Sequence, residues 1–311
     1  MGNYAIAIHG GAGSLMTGSV SPEKEKAYHE KITEALQAGY SILGKDGSAV
    51  DAVEAAVRVL EDSPLFNAGK GSVFNNDGVN EMDAAIMNGK NLKAGAIAEV
   101  HTIRNPISCA RAVMEKTKHV LLASAGAEKF AKECGLEIVD PSYFYDEERH
   151  KQWVATKNND IDYSWSGEGI PDGAKKFGTV GAVALDSQGN IAAATSTGGV
   201  NNKKFGRIGD SPIIGAGTYA NNKTCAVSCT GEGEYFIRNV VAYDISALME
   251  YKGVTLAQAT AEAIKKIALA GGEGGLISID NQGNISAPFN TSSMFRGWIN
   301  KAGEKFTGIF R

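Results

Sequence analysis

The sequence predicts a layered α/β fold in which antiparallel strands and helices form separate layers. Three observations carry that prediction. Two hairpin signatures are near copies of each other, Asp186-Ser187-Gln188-Gly189-Asn190 and Asp280-Asn281-Gln282-Gly283-Asn284. Each lies between apolar runs and has glycine where a left-handed turn residue is needed. Helical patterns come in consecutive pairs, and the strict strand–helix alternation of a doubly wound parallel sheet is missing.

Tyr4–His9 reads as a short apolar strand ending in His9-Gly10-Gly11-Ala12-Gly13. Ser21-Pro22-Glu23 opens a helix with an N-cap, a proline at the first position and an acid in the first turn. It runs to about Leu43. Ser48–Asp62 is a second helix, with Val50, Val53, Ala56, Val57 and Leu60 on one face. The following stretch, Ser63 to Gly71, is too glycine-rich to be an element. Strands are expected at Met82–Met87 and Ala94–Glu99, and helices at Pro106–Lys116 and Gly126–Cys134. Residues 150–178 lack sustained periodicity and are long for a connection inside a compact domain, so they read as a mobile linker, a boundary or a functional segment. Beyond them, strands are expected at Val180–Leu185, Ile191–Thr195, near Ile213–Tyr219, Cys225–Cys229, Leu276–Ile279, Ile285–Pro288 and Lys305–Phe310. Helices are expected at Glu234–Tyr251 and Thr255–Leu269.

Composition excludes several classes. The chain has 311 residues, 43% hydrophobic and 21% charged, with a net charge of −4; this is ordinary globular material. No basic cluster favours a nucleic-acid partner, and no apolar run is long enough to span a membrane. No signal peptide precedes the first strand, so a cytoplasmic, reduced protein is expected. The four cysteines, Cys109, Cys134, Cys225 and Cys229, form no C-x-x-C pair; Cys225 and Cys229 read as buried small hydrophobes. Glycine is the outlier, at 38 residues with only 7 prolines, which fits tight turns and close backbone approaches.

Several catalytic motifs fail. His9-Gly10-Gly11-Ala12-Gly13 is similar to a hydrolase oxyanion loop, but no G-x-S-x-G elbow accompanies it. The five histidines are scattered with no H-E-x-x-H, and no Walker A exists. The informative stretch is Gly178-Thr179-Val180-Gly181. If the Gly178–Thr179 bond were cut, Thr179 would carry a free α-amine beside its own hydroxyl. An α-amine has a pKa of about 8, so one residue would supply both nucleophile and base. The same hydroxyl can make the cut by attacking the Gly178 carbonyl, and glycine tolerates the strained backbone this needs.

Three further clusters fit. Thr195-Ser196-Thr197-Gly198-Gly199 ends the partner strand of the hairpin, within reach of Thr179 across the strand pair. Arg207 and Asp210 place a cation and an anion in a glycine-flanked loop, suited to a ligand carrying an α-carboxylate and an α-ammonium. The plainer alternative is a solvated salt bridge. Thr230-Gly231-Glu232-Gly233 follows a strand and precedes a helix, so Thr230 either helps stabilise an oxyanion or caps that helix.

Taken in order, GTVGAVALD at 178–186, TSTGG at 195–199, GRIGDSPIIGAGTYA at 206–220 and CTGEGE at 229–234 resemble the plant-type (type III) L-asparaginase / isoaspartyl peptidase family of N-terminal-nucleophile hydrolases. HGGAG at 9–13, LFNAGKGSVF at 65–74, EMDAAIM at 81–87 and KAGAIAEV at 93–100 extend the resemblance over almost the whole chain. It implies a four-layer αββα sandwich. It also implies self-cleavage into an α subunit, 1–178, with 150–178 as its linker, and a β subunit, 179–311. The two stay together as one folded domain and pair again as (αβ)₂. By resemblance Thr179 is nucleophile and base, Thr197 orients it, and Thr230 with the Gly231 amide forms the oxyanion site. Asn67 and Gly233 support the substrate side, and Arg207 and Asp210 hold the aspartyl carboxylate and ammonium. Catalysis needs no cofactor. A structural sodium is implied on the main-chain carbonyls of Leu60, Glu61, Ser63, Phe66, Ala68 and Lys70.

The implied activity is hydrolysis of isoaspartyl dipeptides and L-asparagine. Only the aspartyl half is read, so the leaving group is loosely specified. Glu232, directly after Gly231, is a departure that would disfavour acidic leaving groups. Two alternatives compete. One is a glycosylasparaginase, which would be expected to have a secretory leader and disulfides. The other is a non-enzymatic, unprocessed amino-acid-binding form, against which Thr179, Arg207 and Asp210 count.

Overall fold

The computed structural model describes residues 3–158, 178–300 and 302–311. Strand β1 (Ala5–Gly13) leads into helices α1 (Pro22–Leu43) and α2 (Ala49–Glu61). Their N-caps are Ser21 and Ser48, whose side chains accept from the Lys24 and Asp51 amides. Strands β2 (Met82–Asn88) and β3 (Ala94–Val100), helix α3 (Pro106–Lys116), strand β4 (Leu121–Ala123) and helices α4 (Ser124–Glu133) and α5 (Glu147–Asn158) follow. After the nucleophile candidate come β5 (Val180–Leu185), β6 (Ile191–Thr197), β7 (Thr218–Ala220) and β8 (Cys225–Gly231). Helices α6 (Gly233–Asn239), α7 (Val241–Lys252) and α8 (Leu256–Leu269) precede β9 (Gly274–Asp280), β10 (Ile285–Ser286), β11 (Ser293–Ile299) and β12 (Lys305–Phe310).

Two sheets form, one of eight strands in the order β12-β11-β1-β5-β6-β2-β3-β4 and one of four in the order β10-β9-β8-β7. Every strand pair is antiparallel except β3–β4. Strand β1 lies between β5 and β11, so segments 1–178 and 179–311 share one sheet. Period-2 alternation gives each central strand two buried faces. Ile6 and Ile8 of β1 pack outward with Leu36, Val53 and Val57 of α1 and α2. Ala5 and Ala7 face inward with Val183, Leu185, Ile277 and Ile279. In β8, Cys225, Val227 and Cys229 pack outward on Phe236, Ile245 and Ile267. Three stacked cores therefore separate four layers, αββα, as expected.

The two copied turns are the same device. Asp186 accepts from the Gln188 and Asn190 amides at 3.0 and 2.9 Å, and Asp280 from the Gln282 and Asn284 amides, both at 2.9 Å. Gly189 and Gly283 sit at φ +83° and +84°.

Four expectations need correction. Residues 150–158, assigned to a linker, are the body of α5; residues 159–177 lie outside the described residues. Helix α5 is polar on most faces and packs through His150 and Trp153 on Phe74, at ring distances of 5.6 and 6.1 Å, so apolar periodicity did not reveal it. The strand near Ile213–Tyr219 shrinks to β7, because the Ile213 and Gly217 amides both donate to the Asp210 carbonyl in a tight turn. The helix 234–251 breaks at Val240, φ +47°. The Ala242 and Tyr243 amides donate instead to the Ala216 and Gly215 carbonyls, a tertiary override of propensity. Strands β4 and β11 were not expected; Arg296 and Gly297 interrupt the apolar pattern of β11. Among the described residues no helix is long and apolar enough to cross a membrane.

Candidate active site

Thr179 immediately precedes β5 and is buried. In the β5–β6 ladder Val180 faces Ser196, which brings Thr197 beside Thr179. The Thr179 hydroxyl lies 3.1 Å from Thr197 Oγ1 and 2.8 Å from the Gly178 carbonyl oxygen. Thr197 Oγ1 accepts from the Gly199 amide at 3.0 Å and lies 3.2 Å from the same Gly178 carbonyl. Asn67 donates to the Gly178 carbonyl at 2.9 Å and to the Gly199 carbonyl at 2.7 Å, while its oxygen accepts from the Val73 amide at 3.0 Å. The Gly178 carbonyl oxygen is therefore surrounded by side-chain donors that polarise it. Gly11, at φ +108°, lets the β1 turn pass close by: a Cβ there would sit 2.9 Å from the Gly178 Cα and 3.1 Å from the Thr179 nitrogen.

Gly178, Thr179, Thr197, Arg207, Asp210 and Gly231 line one small pocket, with Gly199, Val200, Gly209 and Ser211. Gly233 packs against its charged end: a Cβ there would lie 3.0 Å from both Asp210 Oδ1 and Arg207 Nη2. Asn67 and Thr230 do not line this pocket. Asn67 is committed to the Gly178 carbonyl, and Thr230 Oγ1 accepts from the Ala12 amide at 3.1 Å, leaving its own proton to donate. The capping alternative for Thr230 is overturned, because Glu232 holds the N-cap position of α6.

Arg207 and Asp210 are not paired as a simple salt bridge. Arg207 grips Glu234 with two hydrogen bonds of 2.9 and 3.0 Å. Asp210 is buried, and its Oδ2 has no hydrogen-bond partner among the described residues. Burial pushes the Asp210 carboxyl up to about 6, against the pull of the Arg207 guanidinium. Partial burial pushes Glu234 up as well, but its bonds to Arg207 outweigh that and hold it below the usual carboxylate range. Glu232 turns one carboxylate oxygen back onto the Glu273 amide at 2.9 Å.

The loop after α2 offers the carbonyls expected for sodium. The Leu60, Phe66 and Ala68 oxygens each accept one amide hydrogen bond, leaving a second lone pair on each. The chain curls so tightly that a Cβ at Gly69 would lie 2.4 Å from the Glu61 oxygen, and one at Gly71 2.0 Å from the Phe66 oxygen. Carbonyl oxygens are hard donors of the kind a hard cation takes. The Glu61 side chain points elsewhere, accepting from Ser196 Oγ at 2.7 Å and the Ile107 amide at 3.0 Å, and burial pushes its carboxyl up to about 8.

Sequence reasoning missed Glu234 and the link from His9 through Ser228 and Thr195 to Thr218 between the sheets; it singled out Thr195 only within the cluster facing Thr179. Hydroxyls at inward positions of otherwise apolar strands were the available signal.

The asparaginase 2 family, described as asparaginase, matches residues 2–309. The chain is 49% identical to the isoaspartyl peptidase of Escherichia coli strain K12, over 100% of this chain and 97% of that protein. It is 46% identical to the isoaspartyl peptidase/L-asparaginase of Rattus norvegicus, covering 94% and 85% of the two chains. Identity to the plant-type L-asparaginase of Pyrococcus abyssi is also 46%, covering 93% and 94%. With the family match spanning nearly every residue, the chain belongs to the asparaginase 2 family.

Proposed function

We propose that the chain is an autoprocessing threonine amidohydrolase that hydrolyses isoaspartyl dipeptides and L-asparagine and releases L-aspartate. The observation that carries this reading is the Thr179 hydroxyl, 3.1 Å from Thr197 Oγ1 and directly beside a glycine carbonyl that Asn67 polarises. In the first stage Thr179 Oγ1 attacks the Gly178 carbonyl carbon. Asn67 and Thr197 donate to the oxygen as it gains charge, the C–N bond breaks, and the nitrogen, gaining the proton that the hydroxyl gives up, becomes the Thr179 α-amine. Water hydrolyses the resulting ester, freeing the Gly178 carboxylate and the hydroxyl. The interleaving of β1 with β5 and β11 supports segments 1–178 and 179–311 remaining one body afterwards, and a further pairing into (αβ)₂ is part of the same reading.

In the second stage the α-amine takes the hydroxyl proton and Oγ1 attacks the substrate's side-chain carbonyl. The Gly231 amide, whose residue lines the pocket, and the Thr230 hydroxyl, whose proton is free to donate, are the donors assigned to the developing oxyanion. Ammonia or the downstream amino acid leaves with the transferred proton, and water then frees aspartate. Asp210 takes the substrate ammonium and Arg207 its carboxylate, while Gly233 leaves them room. No cofactor enters these steps. A sodium ion held by the carbonyls of Leu60, Glu61, Ser63, Phe66, Ala68 and Lys70 would stiffen the loop that presents Asn67. The four cysteines are free thiols, which supports a reducing, cytoplasmic setting over a disulfide-bonded glycosylasparaginase.

Denaturing electrophoresis with N-terminal sequencing, run beside steady-state kinetics on L-asparagine and β-Asp-Leu, tests the reading. Two chains are expected, the second beginning Thr-Val-Gly-Ala. Active enzyme consisting of one intact chain would overturn it, and the kinetics rank the two substrates.

A further inference from the structure

His9 belongs to a motif that the chemistry above leaves without a part. We infer that His9 is a positioning residue for Thr179: it grips the Thr179 carbonyl from behind and, through that carbonyl, aims the hydroxyl and the amine. The inference rests on Thr179 being the nucleophile. His9 Nδ1 lies 3.1 Å from the Thr179 carbonyl oxygen and Nε2 lies 2.9 Å from Ser228 Oγ. A carbonyl only accepts, so Nδ1 carries the proton. The ring is buried, and burial drives its pKa down to about 3 against the raising effect of that bond, so it is neutral and Nε2 is a bare acceptor.

The direction of the rest follows from proton counting. Ser228 gives its single proton to Nε2 and so must accept from Thr195, 2.7 Å away. Thr195 in turn lies 2.7 Å from Thr218 Oγ1, whose single proton goes either to Thr195 or to the Ser211 carbonyl 3.0 Å away. Ser228 and Thr195 donate toward Thr179. The run passes back and forth between the two sheets, from β1 to β8, β6 and β7, and ends beside Asp210. A buried network of this kind holds the imidazole in one orientation.

Gly181 makes room for it. A Cβ at position 181 would lie 2.0 Å from Ser228 Oγ and 2.5 Å from His9 Nε2, so any side chain there would push apart the bond that orients the ring. The need for such a grip comes from the scission itself. Once the bond to Gly178 is gone, Thr179 has no tether on its amino side, and the ladders of β5 begin only at Val180 against β6 and at Gly181 against β1. The carbonyl is then the handle on the residue's backbone, while Thr197 holds only the hydroxyl.

Three variants test this, each read by thermal melting, extent of self-cleavage, and kcat and KM on L-asparagine. His9→Asn keeps an N–H near the Nδ1 position, His9→Phe keeps the ring volume without either nitrogen, and Ser228→Ala frees the ring while leaving it in place. Mature His9→Phe is expected to lose about 100-fold in kcat, with KM within about threefold, because a misaimed nucleophile loses rate rather than substrate affinity. His9→Asn is expected to recover at least about tenfold of that loss, and Ser228→Ala to lose about tenfold. A folded His9→Phe protein that stays uncleaved while His9→Asn cleaves also supports the inference, since the same hydroxyl must be aimed for scission. If His9→Phe does not melt cooperatively, Ser228→Ala decides. Parental kcat in mature His9→Phe or in Ser228→Ala, or a loss confined to KM, overturns it. Failure of the underlying reading looks different: the parent protein itself would stay one chain and hydrolyse neither substrate.

Discussion

The two sides of Thr179 are built in opposite ways. Behind it, His9, Ser228, Thr195 and Thr218 are linked in one run of buried hydrogen bonds, each with a partner. In front of it, glycines line the wall, and the buried Asp210 keeps an oxygen without a partner. Leaving a buried polar atom unpaired costs about 1–3 kcal/mol, and proteins rarely tolerate it without reason. The satisfied side is finished before any ligand arrives. The unsatisfied side has a donor missing, and a substrate ammonium has the charge and the protons to supply it.

The largest effect is expected where the two sides meet. Thr179→Ala keeps the backbone but removes the hydroxyl that both stages use. Hydrolysis should fall at least ~10⁴-fold, as when a nucleophile is deleted elsewhere, and the chain should stay whole on a denaturing gel. Normal cleavage in this variant would separate maturation from Thr179.

Next come changes confined to the front. Asp210→Asn and Arg207→Ala should each raise KM by about 10- to 100-fold, the worth of a hydrogen bond to a charged group, while self-cleavage proceeds. Cleavage that failed in both would show that front and back are not separable. Asp210 also sets a pH limb. With its carboxyl near 6, protonation on acidification removes the charge that faces the ammonium. kcat/KM should therefore fall about tenfold per pH unit below that point, and Asp210→Asn should lose the limb. Stability runs the other way. The folded pKa lies above the ordinary 3.8, so between those values the folded state holds more protons than the unfolded one. The Asp210 contribution to stability without ligand is then lost as pH rises through that window. Melting temperatures across it, with and without aspartate, check the sign.

The contrast between the sides also marks what the sequence could reveal. The layer order, the paired hairpins and the capped helices α1 and α2 were legible because local chemistry fixes them: Ser21 and Ser48 at the caps, Asp186 and Asp280 in the turns. The front residues were legible because Thr179, Arg207 and Asp210, each ordinary alone, sit in an ordered set of glycine-rich motifs that resembles a known family. The back was not. Ser228 and Thr195 are common residues in strands, and only the stacking of two sheets brings Ser228 to His9 across 219 positions and Thr195 to Ser228 across 33. Val240 was hidden for the same reason, since its left-handed turn follows from carbonyls at Gly215 and Ala216 and not from its own preference.

The smallest predicted effect sharpens the boundary of the front. Glu234 holds Arg207 by two hydrogen bonds, yet its own side chain is 57% exposed. With Arg207 19% exposed, the pair sits half in water at the pocket rim, where such ion pairs are worth about 1 kcal/mol or less, at most about fivefold in binding. Glu234→Gln keeps one acceptor oxygen for Arg207 and removes the charge. KM for L-asparagine should rise about two- to fivefold with kcat unchanged, and the difference from parent should shrink as salt screens the pair. The guanidinium is then oriented by Glu234 but anchored by the glycine-walled pocket around it. A KM increase as large as that of Arg207→Ala would place Glu234 inside the binding site instead of at its rim, and would move the line between the two sides outward by one helix turn.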